Sequence, residues 1–349
     1  MPIPDRVFLL GPLLKGVSRS FYLTLRILPA GMRDPVGLAY LLARAADTIA
    51  DTALIPPPQR LDLLLGLRAR VNGADDGGEL VRRLAAEVAS QQSLSDEKVL
   101  LESIGPALDV LDQLPEADRT AVRGIVTTLT EGMEFDLRTF PDEGSGQVAA
   151  LATMADLDRY TYLVAGCVGE FWTTMTYRHQ PGTLQAPAEL MLRRGVRFGK
   201  ALQMVNVLRD CGKDLRIGRC YLPTELLGRH GLSPADLLDP ANSRRARPML
   251  AEGVRVALDH FREAIAYTLA IPRTAVRLRL ACIWPILIGL ETLLLLVDND
   301  AWLDPARVSK VPRGKVYQVL AGSLPCVMID TALRGWMEGL VSRIEARLA

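Results

Sequence analysis

Aromatic side chains are scarce in this chain, at 5% of 349 residues, although 49% of the residues are hydrophobic. That hydrophobic share is ample for a large core. The net charge is only +1, which lacks the basic footprint of a nucleic-acid partner. The cysteines (Cys167, Cys211, Cys220, Cys282 and Cys326) are odd in number and scattered. They form neither a disulfide framework nor a zinc spacing, so they read as core filler in a reducing cytoplasm. The histidines, His179, His230 and His260, lack ligand spacing and are expected at the surface. The N-terminus lacks the charged-then-apolar order of a signal peptide. No internal repeat, low-complexity segment or Gly/Ser linker divides the sequence, so residues 1–349 are expected to form a single domain.

Strand-like alternation is nearly absent. Apolar residues instead recur at three- and four-residue spacing in Leu61–Val71, Leu80–Val88, Val122–Leu137, Met191–Leu208, Val254–Leu269 and Ile329–Leu348. Proline at Pro56, Pro57 and Pro58 marks a helix start, and Asp142 to Gly146 reads as a loop. Thr153 and Asp156 have the spacing of a capping box before the run Leu157–Thr176. Gly166 and Gly169 inside that run lower helix propensity, so they are expected where another helix or a ligand approaches closely. The most apolar stretch, Ala281 to Val297, holds Pro285 and Glu291 and reads as a buried core helix rather than a span. The expected fold is all-α, a helical bundle around a central apolar cavity.

Two acid pairs stand out, Asp47 with Asp51 and Asp210 with Asp214. Carboxylates four apart on a helix point the same way, about 6 Å apart. Taking Tyr40 as zero, Arg44 falls near ~40°, Asp47 near ~−20° and Asp51 near ~20° around the helix. Gln203 and Asn206 share the face of the second pair. Mg²⁺ prefers a few carboxylates plus substrate phosphate oxygens. Two such pairs across a cavity are therefore candidates for holding metal ions on a diphosphate.

Five ordered motifs carry a resemblance: Ser18-Arg19-Ser20-Phe21; Tyr40, Arg44, Asp47 and Asp51; Tyr160 with Val164-Ala165-Gly166 and Gly169; Gln203, Asn206, Arg209, Asp210 and Asp214; and Arg219 with Tyr221-Leu222-Pro223. Together they resemble the squalene/phytoene synthase family over roughly residues 11 to 320. The resemblance implies an isoprenoid-synthase fold and head-to-head joining of two prenyl diphosphates. It implies that Asp47, Asp51, Asp210 and Asp214 hold Mg²⁺, with Mn²⁺ as a substitute. Ser18, Arg19, Arg44, Arg209 and Arg219 would contact diphosphate, and Tyr40, Arg44, Tyr160, Gln203 and Asn206 would serve catalysis. An allylic diphosphate ionises only if the leaving group is neutralised, and the carbocation needs a water-free cavity. Few aromatics and many aliphatic residues suit a long isoprenoid tunnel.

The family divides by substrate and by reduction. The segment containing Lys310, Arg313 and Lys315 resembles the basic segment near the nicotinamide cofactor of squalene synthases, as does Ile283-Trp284-Pro285-Ile286 before it. The resemblance thus implies NADPH and a squalene-forming reaction from farnesyl diphosphate. Ala50 and Leu163 depart from the eukaryotic squalene pattern, and Tyr160 matches the bacterial and carotenoid branches. A non-reducing phytoene, dehydrosqualene, presqualene diphosphate or hydroxysqualene synthase is the alternative. A non-catalytic assembly protein of the same fold ranks below both, since all four acids are present. The expected state is a cytoplasmic monomer with peripheral contact at the inner face of the membrane.

Overall fold

The computed structural model describes residues 5–18, 22–184 and 186–348. The chain forms two compact units, Met1–Arg138 and Thr139–Ala349. Helices dominate both, and the fold is all-α.

The longer helices of the first unit are α1 (Ala30–Asp51), α2 (Pro57–Val71), α3 (Ser95–Glu102), α4 (Ile104–Asp112) and α5 (Glu116–Thr139). Leu38, Leu41, Leu42, Ala45 and Ile49 form the fully buried side of α1. The first acid pair lies on the other side, as its helical spacing requires. Pro57 opens α2, its fixed φ suited to a first turn whose N–H groups lack partners. Arg60 is buried, and its Nη1 donates to the Ala50 carbonyl at 2.9 Å. That bond satisfies one orphan carbonyl at the end of α1 and fixes the turn that carries Asp51.

The second unit contains α6 (Met154–Thr161), α7 (Cys167–His179), α8 (Ala188–Asp214), α9 (Arg247–Leu269), α10 (Val276–Val297), α11 (Arg313–Cys326) and α12 (Asp330–Leu348). The capping box at Thr153 and Asp156 opens α6 with both reciprocal bonds in place. Between α6 and α7 the backbone widens into one π-helical turn, Tyr162–Gly166. Here α8 approaches without intervening side chains. A Cβ on Gly199 would stand 2.0 Å from the Ala165 carbonyl oxygen, and one on Gly169 would stand 1.8 Å from that of Gly195. The glycines in the helical run thus serve close packing, as the sequence predicts. Helix α10 is long and apolar enough to cross a membrane, yet 78% of its most apolar window is buried within the protein.

Two two-residue strands pair in parallel, β1 (Ala149–Ala150) with β2 (Arg219–Cys220). Gly218 precedes β2 with φ of 84°, and a Cβ there would stand 2.6 Å from the Gln147 carbonyl oxygen. Glycine is therefore required to turn the chain from α8 into β2 and to present Arg219.

One surface expectation is corrected. His260 is buried, 7% exposed, on the inner side of α9. The fully buried Ala257 and Ala264, three residues before and four after, share its face, so helix geometry carries it into the core. Cys167, Cys211, Cys220 and Cys282 are buried free thiols, as expected of core filler.

Candidate active site

In the first unit, Arg44, Asp47 and Asp51 line a cavity of about 210 Å³ together with Thr48, Gln92 and Glu97. Arg44 sits between two acids. Its Nη1 donates to Asp47 and its Nη2 to Glu97, each at 2.5 Å. Burial works against the Arg44 charge, but Asp47 and Glu97 outweigh it and hold the guanidinium above its ordinary pKa. Burial, and next the charge of Asp51, pushes the Asp47 carboxyl up to about 6 against the pull of Arg44. The Asp47 side chain is walled by neighbours yet keeps 40% of its surface open. Gln92 donates to Thr52 Oγ1 at 2.9 Å and closes the far wall. Tyr40 acts on Arg44 electrostatically, in keeping with one shared stripe. Ser18 is buried, its hydroxyl donating to the Leu14 carbonyl at 2.5 Å. Arg19 lies outside the described residues.

In the second unit, α8 carries Gln203, Asn206, Arg209, Asp210 and Asp214. Asn206 Nδ2 donates to Gln203 Oε1 at 3.2 Å, which places both amides on one face. Arg209 grips its neighbour Asp210 with two bonds, the Nε–Oδ1 one at 2.9 Å. Arg219, at the start of β2, pairs with Glu143 at 3.0 Å. Tyr160 is buried and stacks on Tyr221 with ring centroids 4.6 Å apart, and Phe140 meets Tyr221 edge-on at 5.0 Å. Burial raises the thiols of Cys211 and Cys220 far above their usual range, Cys220 to about 12, so neither is a nucleophile.

Lys310 and Arg313 are exposed, and Arg313 begins α11. Lys315 instead reaches the buried Glu291 of α10 at 3.0 Å. Trp284 of the same helix donates to Ser323 at 3.0 Å, tying α10 to α11.

Sequence reasoning missed Glu97 and Glu143. Glu97 stands in the acidic first turn of α3, a feature that by itself signals only a helix start. Among the described residues, no three acidic, histidine or cysteine side chains gather into a metal cage. Mg²⁺ uses one or two carboxylates and completes its shell with water and phosphate oxygens, so a pair in each unit fits that ion. Burial first, then the neighbouring charge of Asp51, raises the Asp47 pKa, so a cation beside the pair would favour its charged form.

The chain is all-α and carries two helix-borne acid pairs, each with an arginine held against its first acid. Residues 14–315 match the family described as squalene/phytoene synthase, and the chain belongs to that family, which is of prenyltransferase type. A bifunctional lycopene cyclase/phytoene synthase of Colletotrichum graminicola is 32% identical over 254 residues, covering 71% of this chain and 39% of that protein. The squalene synthase of Schizosaccharomyces pombe is 26% identical over 267 residues, covering 76% of this chain and 54% of that protein. The chain thus spans about half or less of the length of these curated relatives. A ligand complex of TcSQS superposes with a TM-score of 0.77 at 22% identity, covering 98% of this chain and 92% of that one. Squalene synthase HpnC from Alicyclobacillus acidocaldarius gives 0.55 at 19% identity, covering 81% and 90%. These solved structures establish the likeness of fold.

Proposed function

We propose that this chain joins two farnesyl diphosphates head to head into presqualene diphosphate and carries that product on, with NADPH, to squalene. One observation carries the reading: in each unit an arginine is held against the first acid of a pair, Arg44 on Asp47 and Arg209 on Asp210. An acid able to hold a metal ion and a guanidinium are thereby kept side by side, which supports a diphosphate-binding reading. Asp47, Asp51, Asp210 and Asp214 would hold Mg²⁺ or Mn²⁺, which would supply charge neutralisation at the departing diphosphate. Arg44, Arg209 and Arg219 would meet its oxygens, with Arg19 and Ser18 as further contacts. Tyr40, Gln203 and Asn206 would orient the head group, and buried Tyr160 would help keep water from the cation. The reading treats the chain as one functional domain, with both acid pairs serving one reaction.

Lys310 and Arg313 are the exposed cations suited to NADPH, which would supply a hydride in the second half-reaction. Lys315 would join them only by leaving Glu291. Cytoplasmic location, a monomeric state and peripheral membrane contact belong to the same reading. Exposed Tyr317, Leu324, Met328 and Ile329, on and just after α11, are side chains such contact would use.

A second reading, the non-reducing branch, is favoured by position 50. Alanine stands where eukaryotic squalene synthases carry a further acid, and it is buried with its carbonyl held by Arg60. Purified protein given farnesyl or geranylgeranyl diphosphate with Mg²⁺, with and without NADPH, separates the two by mass spectrometry of the products. Squalene that depends on NADPH supports the first reading. Identical products with and without NADPH assign the chain to the second.

A further inference from the structure

The side of α9 that carries Gly253 packs on α8, where a Cβ would stand 2.8 Å from the Leu208 side chain. Ala251 and Arg255 lie two residues to either side of Gly253, about 160° around the helix. On that outer side they line a cavity of about 650 Å³ with Arg244, Arg247 and Arg347, and with Glu252 as the one acid among its described lining residues. None of the described residues proposed above for the diphosphate reaction lines it.

The cavity's charges are unevenly matched. Arg347 pairs with Asp298 at 2.6 Å, and Arg247 donates to the Val297 carbonyl while reaching Asp300 at 3.5 Å. Glu252 is taken by Arg229 at 3.0 Å and His230 at 2.9 Å. Arg255 donates to the Leu348 carbonyl at 3.2 Å and has no carboxylate partner among the described residues. Arg244 has no side-chain partner among them at all. Two guanidiniums without an acid partner among the described residues therefore open on one cavity, beside Arg347 and Arg247, which meet carboxylates at its edge. A guanidinium fork matches phosphate oxygens two at a time. Pro248 and Val297 supply an apolar wall next to the cations.

We propose that this cavity is a second anion site, separate from the acid pairs, that takes a phosphate or diphosphate group. The group is either free or the head of an anionic lipid whose chain lies against Pro248 and Val297. The site stands whichever reaction the acid pairs perform.

Two arms of one experiment distinguish the sources. Inorganic diphosphate is titrated calorimetrically into the full chain in EDTA, which silences any metal-dependent site. In parallel the protein is sedimented with phosphatidylglycerol vesicles, with phosphatidylcholine vesicles as reference. Both arms use wild type, the double variant Arg244→Gln/Arg255→Gln, and a control, Arg193→Gln/Arg277→Gln, that removes equal charge elsewhere. All substituted arginines are exposed, and circular dichroism confirms folding. A site for free anions gives saturable diphosphate binding that weakens about tenfold or more in the first variant and not in the control. A lipid-head site gives the same pattern in the phosphatidylglycerol arm. Equal behaviour of the two double variants in both arms, or no binding in either, overturns the proposal.

Discussion

Gly169 and Gly195 meet backbone to backbone, so that a Cβ on Gly169 would stand 1.8 Å from the Gly195 carbonyl oxygen. The contact holds α7 against α8, the helix that carries Gln203 through Asp214. No side-chain rotation relieves a clash with a carbonyl oxygen. Gly169→Ala is therefore expected to push the helices apart and cost about 3 kcal/mol or more, the upper range for overpacking. Urea denaturation measures the loss. A wild-type midpoint in the variant would show that the two helices are not locked by this contact.

Arg279 is fully buried and bonds Asp330 at 2.6 Å, while Arg273 bonds the same carboxylate at 2.8 Å. Burial alone would raise the Asp330 pKa, but hydrogen bonds from Arg279 and Arg273 outweigh it and hold it below the usual carboxylate value. Its stabilising effect is present above the unfolded-state pKa and is lost as pH falls through the depressed folded one. Asp330→Asn strands a buried cation, with an expected cost of about 3 kcal/mol at neutral pH. That deficit, read from denaturation curves, should shrink toward acid pH.

His260 has the opposite chemistry with the same direction in pH. Burial first, then the charges of Arg197 and Lys200, lowers its pKa from 6.5 to about 4, and its Nδ1 lacks a partner among the described residues. The unfolded chain takes up a proton below pH 6.5, while the folded chain resists until about 4. Stability is thus lost as pH falls across that window and is constant above it. Between pH 7 and pH 5 the wild type should lose about 2 kcal/mol more than His260→Gln, judged from 1.36 kcal/mol per pKa unit. Equal losses in the two proteins would remove His260 from the acid response.

Glu97 holds Arg44 in place beside Asp47. Glu97→Gln keeps the shape but weakens that hold, and turnover on a prenyl diphosphate is expected to fall about tenfold, as for supports behind metal ligands. The melting temperature should stay near the wild-type value, which separates a positioning role from a structural one.

Much of this architecture is legible in the sequence, because helix signals are local. The run Met191–Leu208 announces α8 (Ala188–Asp214), and Thr153 with Asp156 announces the cap of α6. Gly166 and Gly169 announce close packing, although not that Gly195 and Gly199 are the partners. The partners of the arginines are not legible. Glu97 meets Arg44 from 53 residues away and Glu143 meets Arg219 from 76. Only the folded chain brings such groups together. The burial of His260 is illegible for another reason: histidine is ordinarily exposed, and α9 turns it inward on the face of Ala257 and Ala264.

The central claim is that both acid pairs are needed to release diphosphate from a prenyl substrate. The direct measurement is diphosphate release from farnesyl diphosphate with Mg²⁺ by wild type, Asp47→Asn and Asp210→Asn, each shown to be folded. Each variant loses a charge proposed to hold metal while keeping its shape, so release should fall by about a thousandfold or more in both, and EDTA should abolish it in the wild type. Near-normal release by either variant would contradict the claim.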